Sequence, residues 1–179
     1  ESLQPRIRVY GVGGAGCNAV GRLDAEGLFE NSFVTGYAIN TDAQALLMSP
    51  LDHKVLIGRT ARGRGAGGDP TKGEAAALES EMALRSITTD TQLAIIAAGM
   101  GGGSGTGAAG HIAHLAKEQG AMTIAVVTYP FQSEGATRRE NAEWGLERLR
   151  EHCDTILVIP NERLLEIEGV KDLPLASAF

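Results

Sequence analysis

The sequence predicts an α/β protein built on an open, mostly parallel sheet of about six strands, with helices on both faces. Three observations carry that expectation. Short β-rich runs recur along the 179 residues. Several of them, LAIIAA, TIAVVT and TILVIP, are almost continuously apolar, which suits strands covered on both faces rather than a half-exposed sheet. Longer segments with helical character lie between them.

In chain order, Arg6 to Tyr10 is the first strand and Cys17 to Glu26 the first helix. Phe33 to Ile39 and Lys54 to Ile57 supply the second and third strands, and Thr71 to Ser86 the next helix. A fourth strand at Leu93 to Ala97 precedes the helix Gly105 to Gln119, which contains AAGHIAHLAKE. Thr123 to Val127 is the fifth strand, Thr137 to His152 a helix containing RRENAEWGLERLRE, and Thr155 to Ile159 the sixth strand. Parallel strands joined by right-handed crossovers form a Rossmann-like sheet, whose ligands bind outside the carboxyl ends of the strands near a topological switch point.

The length fits one domain with one core. An apolar fraction of 43% and a charged fraction of 21% are ordinary for a globular protein, but 24 glycines exceed the usual share of about 7%. A net charge of -6 disfavours nucleic acid and anionic membrane as partners. Cys17 and Cys153 are far apart and are expected to be free thiols in a reducing cytoplasm. No apolar run approaches the roughly 18 residues of a membrane span, and no signal-peptide pattern is present, so neither insertion nor export is expected.

The glycines gather in loops that follow strands. GVGGAG follows the first, RGRGAGG the third and GMGGGSGTG the fourth, so all three are expected on one rim. Gly11, Gly13 and Gly16 form a GxGxxG pattern, in which missing Cβ atoms let backbone amides approach an anion at a helix N-terminus. Taken alone, this pattern also fits a tight turn without ligand, or a dinucleotide site with Asp42 as the ribose-binding acid. The run Gly101-Gly102-Gly103-Ser104-Gly105-Thr106-Gly107 adds two hydroxyl donors to a row of amides and favours a polyphosphate. No Gly-Lys pair occurs anywhere, which excludes a Walker-type loop and leaves backbone amides to hold the phosphates. Gly65-Ala66-Gly67-Gly68-Asp69 is a candidate clamp on a terminal phosphate.

GGGSGTG resembles the GGG[ST]GTG signature of the tubulin/FtsZ family. GVGGAGCNAV, INTDAQAL, AAGMGGGSGTGAA, AVVTYPF and IPNERLLE resemble successive motifs of that family's prokaryotic cell-division branch, in order along essentially the whole chain. ENAEWGLERLRE and the cysteine of GAGCN are most similar to archaeal members. The resemblance implies a GTP- and GDP-binding domain over residues 1–179, with the family's central helix and C-terminal domain absent. Gly13, Gly14, Ala15, Gly16 and Cys17 would lie against the phosphates and Asn18 near the sugar or base. Ala66, Gly67 and Gly68 would meet the terminal phosphate, and Gly101 to Gly107 (Gly101, Gly102, Gly103, Ser104, Gly105, Thr106, Gly107) the remaining phosphate oxygens. Glu134, Arg138 and Asn161 match ribose and base contacts, and Phe179 an aromatic that flanks the guanine.

The resemblance further implies head-to-tail filaments, hydrolysis completed by an acidic loop of the neighbouring subunit, and partnership with division proteins and membrane anchors at a septal ring. No catalytic residue is therefore assigned within the chain. Magnesium is expected with GTP, with Asp42 and Asp69 the nearest weak candidates and no carboxylate cage. Asp69-Pro70 departs from the family's usual asparagine and adds negative charge near the terminal phosphate. His111 and His114, three apart on a helix, lack further ligands at suitable spacing and are expected to be exposed or capping. Two readings compete with the polymer GTPase: a nicotinamide-dependent oxidoreductase, and an α/β scaffold that binds only an inorganic anion.

Overall fold

Apolar and β-branched runs with period-two burial form the strands of the computed structural model, which describes residues 4–166. These are β1 (Ile7–Val12), β2 (Val34–Asn40), β3 (His53–Leu56), β4 (Leu93–Gly99), β5 (Met122–Tyr129) and β6 (Thr155–Pro160). Every pairing is parallel, in the order β3-β2-β1-β4-β5-β6. The direction of winding reverses between β1 and β4, which makes the carboxyl ends of those two strands the switch point.

The helices are α1 (Gly13–Ala25), α2 (Ala43–Met48), α3 (Pro70–Glu79), α4 (Glu81–Thr88), α5 (Ser104–Glu118) and α6 (Ala136–His152). One sheet face sends Tyr10, Ile39, Ile96 and Val127 against α3 to α6, and the other sends Val9, Val34 and Ala38 against Cys17 and Val20 of α1 and Leu46 of α2. α5 is the central helix of the first layer, with ten of its residues from Gly105 to Ala116 buried. Tyr10 is fully buried, and its hydroxyl donates to the Ile87 carbonyl at 2.9 Å, tying β1 to α4. Burial pushes that phenol up to about 12, so it stays protonated.

The structure departs from the sequence expectation in four places. α1 begins at Gly13 rather than Cys17, so the glycine pattern is itself the first helical turn. The single helix expected over Thr71 to Ser86 is two, divided at Ser80, whose backbone leaves helical geometry while its hydroxyl accepts from the Gly58 N–H at 2.9 Å. The short α2 follows a turn that no periodicity announced. Lastly, TILVIP is an edge strand, with Leu157 54% and Ile159 38% exposed, because the layer of α1 and α2 covers β1, β2 and β4 on its face and does not reach β6. Only Ile156 of its apolar run packs, partly buried, against the main core.

α3 and α5 touch through glycine. A Cβ on Gly73 would stand 2.2 Å from the Gly103 carbonyl oxygen and 3.2 Å from the Gly107 Cα. Substituting Gly73→Ala is therefore expected to destabilise the fold by about 1–3 kcal/mol through overpacking. Gly14→Ala, facing open space within α1, is expected to be neutral or stabilising by up to about 1 kcal/mol. Chemical denaturation of the two variants checks both, and equal midpoints would contradict the packing account.

Candidate anion site at the strand switch point

α1 and α5 both start at the switch point, and their first turns are in contact. Gly13 has φ +73°, and a Cβ there would lie 2.6 Å from the Gly105 nitrogen and 2.9 Å from its Cα. Only glycine permits that approach. Neither helix receives a side-chain cap: Val12 precedes α1, Gly103 precedes α5, and no acid occupies either first turn. By contrast, Asp42 caps α2, accepting from Gln44 and Ala45 N–H at 2.9 and 3.1 Å, and Asp69 caps α3, accepting from Thr71 N–H at 2.9 Å. Two adjacent helix ends thus keep their orphan donors and partial positive charge, the arrangement that binds an anion.

The first glycine loop presents Gly14, Ala15 and Asn18 to solvent at this rim, whereas Gly16 and Cys17 are buried. The Cys17 thiol donates to the Gly11 and Ile39 carbonyls at 3.3 and 3.6 Å, and burial pushes it up to about 11. Its side chain belongs to the core, so only its main chain remains for a ligand. In the second loop Gly101, Gly103, Gly105, Thr106 and Gly107 are buried, with Gly102 and Ser104 partly open. Thr106 Oγ1 accepts from the Gly101 N–H at 2.8 Å and is committed to shaping the loop. Ser104 Oγ lies 2.6 Å from Thr41 Oγ1. Each hydroxyl of the expected pair thus has a partner within the protein, and that of Thr106, an acceptor in its bond, is fully buried.

The third loop closes on the second. A Cβ on Gly103 would stand 2.7 Å from the Ala66 Cβ, while Gly67 and Gly68 face open space. Further along the rim, Glu134 accepts from the Phe131 N–H at 2.9 Å and pairs with Arg138 at 3.3 Å. Glu162 accepts from the Gln132 N–H at 2.5 Å, which holds the turn at Asn161 beside the turn at Glu134. Asn161 is buried, and its Oδ1 has no hydrogen-bond partner among the described residues. Phe179 lies outside the described residues.

Two further residues belong to this site, and the sequence reading passed over both. Thr41, fully buried, joins the end of β2 to Ser104. Asn141, on α6, donates through Nδ2 to the Gly68 and Gly101 carbonyls, each at 3.1 Å. A poor helix former in the middle of RRENAEW was the available signal.

Asp42 and Asp69 are occupied as helix caps, and no group of three or more His, Cys, Asp or Glu among the described residues converges on a metal position. Asp42, the acid offered for a ribose in the dinucleotide reading, caps α2 through its Oδ1 alone. His111 is neither exposed nor a cap. Its Nε2 is 3.6 Å from Glu81, and burial lowers its pKa. His114 sits 3.6 Å from Glu118. A depression of about 640 Å³ lies at the opposite end of the strands, between Asp90, Gln119 and Met122.

Fold and site together define a doubly wound α/β protein with two adjacent, uncapped helix starts at its switch point and no Walker lysine. A family model described as the GTPase domain of the Tubulin/FtsZ family matches residues 6–169. The chain belongs to this family. It is 49% identical to cell division protein FtsZ 1 of Archaeoglobus fulgidus over 180 aligned residues, covering 100% of this chain and 48% of the relative. The fold is similar to an empty FtsZ dimer from M. jannaschii (TM-score 0.92, 46% identity, 99% of this chain and 51% of that one). It is also similar to a GTPγS-bound CetZ2 protofilament from Haloferax volcanii (TM-score 0.82, 27% identity, 97% of this chain and 53% of that one). The chain spans about half the length of the curated relatives it matches. Nothing in these comparisons supports an oxidoreductase. No described helix is long and apolar enough to cross a membrane.

Hydrogen bonds from the Thr71 hydroxyl and N–H hold Asp69 below the ordinary aspartate range. Its contribution to stability is present above the ordinary value and is lost as pH falls through the lowered one. Asparagine caps as well as aspartate. Asp69→Asn should therefore match the parent in thermal stability near neutral pH and exceed it in acid, as the parent's cap protonates. Melting curves across that range check this, and identical pH profiles would contradict it.

Proposed function

We propose that this chain is the guanine-nucleotide-binding domain of a cell-division polymer protein, holding GTP or GDP by its phosphates at the joined starts of α1 and α5. The observation that carries this reading is the backbone contact of Gly13 with Gly105, which sets two uncapped helix ends against one ligand. Each favourable charge interaction at such an end is worth roughly 0.3–1 kcal/mol, and up to about 2 when partly buried. In this assignment Gly13 to Gly16 and Gly101 to Gly107 surround the inner phosphates, while Ala66 to Gly68 meet the terminal one. Asn18, Glu134, Arg138 and Asn161 line the sugar and base. The unpartnered Asn161 Oδ1 supports that last role, since a nucleoside hydroxyl or amino group would satisfy an acceptor otherwise costing about 1–3 kcal/mol.

Magnesium finds no cage among the described side chains, so any ion accompanying GTP would rest on the phosphates and its own waters. Hydrolysis is assigned to an interface between subunits, with the water-polarising acid supplied by the second half of a neighbouring molecule. The isolated chain should bind nucleotide but neither hydrolyse it efficiently nor form a normal filament. In the whole protein, head-to-tail self-association, division proteins, membrane anchors and a cytoplasmic septal ring complete the reading. The relatives described as an FtsZ dimer and a CetZ2 protofilament support self-association.

Calorimetric titration with GTP, GDP, ATP and NAD tests the proposal. Guanine nucleotides should bind at least about tenfold tighter than the other two, a difference of about 1.4 kcal/mol. Tighter binding of NAD than of GDP would overturn it, as would single-turnover hydrolysis by this chain at the rate of a two-domain relative.

A further inference from the structure

We infer that Asn141 is a positioning residue that latches the Gly65–Asp69 loop onto the Gly101–Gly107 cradle and so governs how the site distinguishes a triphosphate from a diphosphate. The inference rests on the nucleotide reading above. Its physical basis is that one side-chain amide reaches two loops that are 33 positions apart in the chain (Gly68 and Gly101), through Nδ2 contacts of 3.1 Å to each carbonyl. Both partners are acceptors only, so the side chain must present its NH2 group to them.

The consequence for an anion follows from peptide geometry. A carbonyl oxygen facing a phosphate repels it. In a planar trans peptide the C=O and the next N–H point in opposite directions. Drawing the Gly101 carbonyl towards α6 therefore turns the Gly102 N–H away from α6, and Gly102 borders open space. The Gly68–Asp69 peptide is held at both ends, its carbonyl by Asn141 and its N–H by the Ala66 carbonyl at 3.2 Å. Gly67 and Gly68, both left-handed and without neighbours around their Cβ positions, have no packing of their own to hold them. The latch acts on the very loop assigned to the terminal phosphate, and a diphosphate does not extend to it.

α6 does not need Asn141 to stay in place. Ala142, Leu146 and Leu149 are buried in the main core, and Arg148 pairs with Glu74 of α3 at 2.8 Å. Alanine is also the better helix former. Asn141→Ala should therefore fold, and Asn141→Asp, of equal size but unable to donate, removes the latch without removing bulk.

The test has two arms. In the nucleotide-free chain, hydrogen exchange of the 60–69 segment should quicken about fivefold or more in both variants, while β4 and the body of α6 keep their protection. By calorimetry, affinity for GTPγS should fall about tenfold and affinity for GDP less than about threefold. Unchanged exchange of the loop overturns the latch, whatever the nucleotides do. Equal losses for GTPγS and GDP, or faster exchange throughout the domain, overturn the discriminating role and leave only a structural one. If the parent chain binds neither nucleotide while the loop still quickens in both variants, the nucleotide reading fails and the physical latch stands.

Discussion

The site depends on one backbone contact, the meeting of Gly13 with Gly105. In-register pairing of β1 with β4 aligns Gly11 with Ala97 and Val12 with Ala98, so the two strands end nearly level. β1 enters α1 at once and β4 enters α5 after the four residues Met100 to Gly103, and the two helix starts must share the same space. A side chain at residue 13 would collide with main chain rather than with a movable rotamer. The glycines thus serve packing first, and the pair of adjacent uncapped helix starts results from that packing. A structural reading and a ligand-binding reading of these loops, rivals when only the residues are considered, describe the same geometry.

Capping chemistry separates the helices that begin on the rim. α2 and α3 are capped by Asp42 and Asp69, each accepting through its Oδ1. α1 and α5 have no such cap, and acids are absent from their first turns. In a chain with a net charge of -6, the absence of acids from these two first turns would let a polyphosphate approach without a lysine to attract it. Asp69 carries the charge that departs from the usual family residue, yet its carboxylate is directed into the start of α3 by Thr71.

The sheet was legible in the sequence because buried parallel strands write continuous apolar runs, and the glycine loops because they punctuate those runs. Their location on one rim followed from parallel topology alone. Other features were hidden because they depend on tertiary contacts. The break at Ser80 arises from a hydrogen bond to Gly58, more than twenty positions away. The exposure of β6 reflects which helices reach across the sheet, which apolar content does not encode. Thr106 read as a ligand donor, and the fold buries its hydroxyl where it accepts from the Gly101 N–H; Cys17 read as part of the glycine loop, and the fold turns its thiol into the core. Asn141 looked like one more polar residue on a charged helix, and only the fold brings it to both loops.

The central claim, that the uncapped starts of α1 and α5 jointly hold the phosphates, is tested most directly by backbone amide NMR shifts on adding GDP. The account predicts the largest shifts at Gly14, Ala15, Ser104 and Gly105, with Gln44 and Thr71, whose N–H groups already donate to the Asp42 and Asp69 caps, nearly still. Shifts centred instead on the Asp42 turn, with Ser104 and Gly105 unmoved, would contradict it.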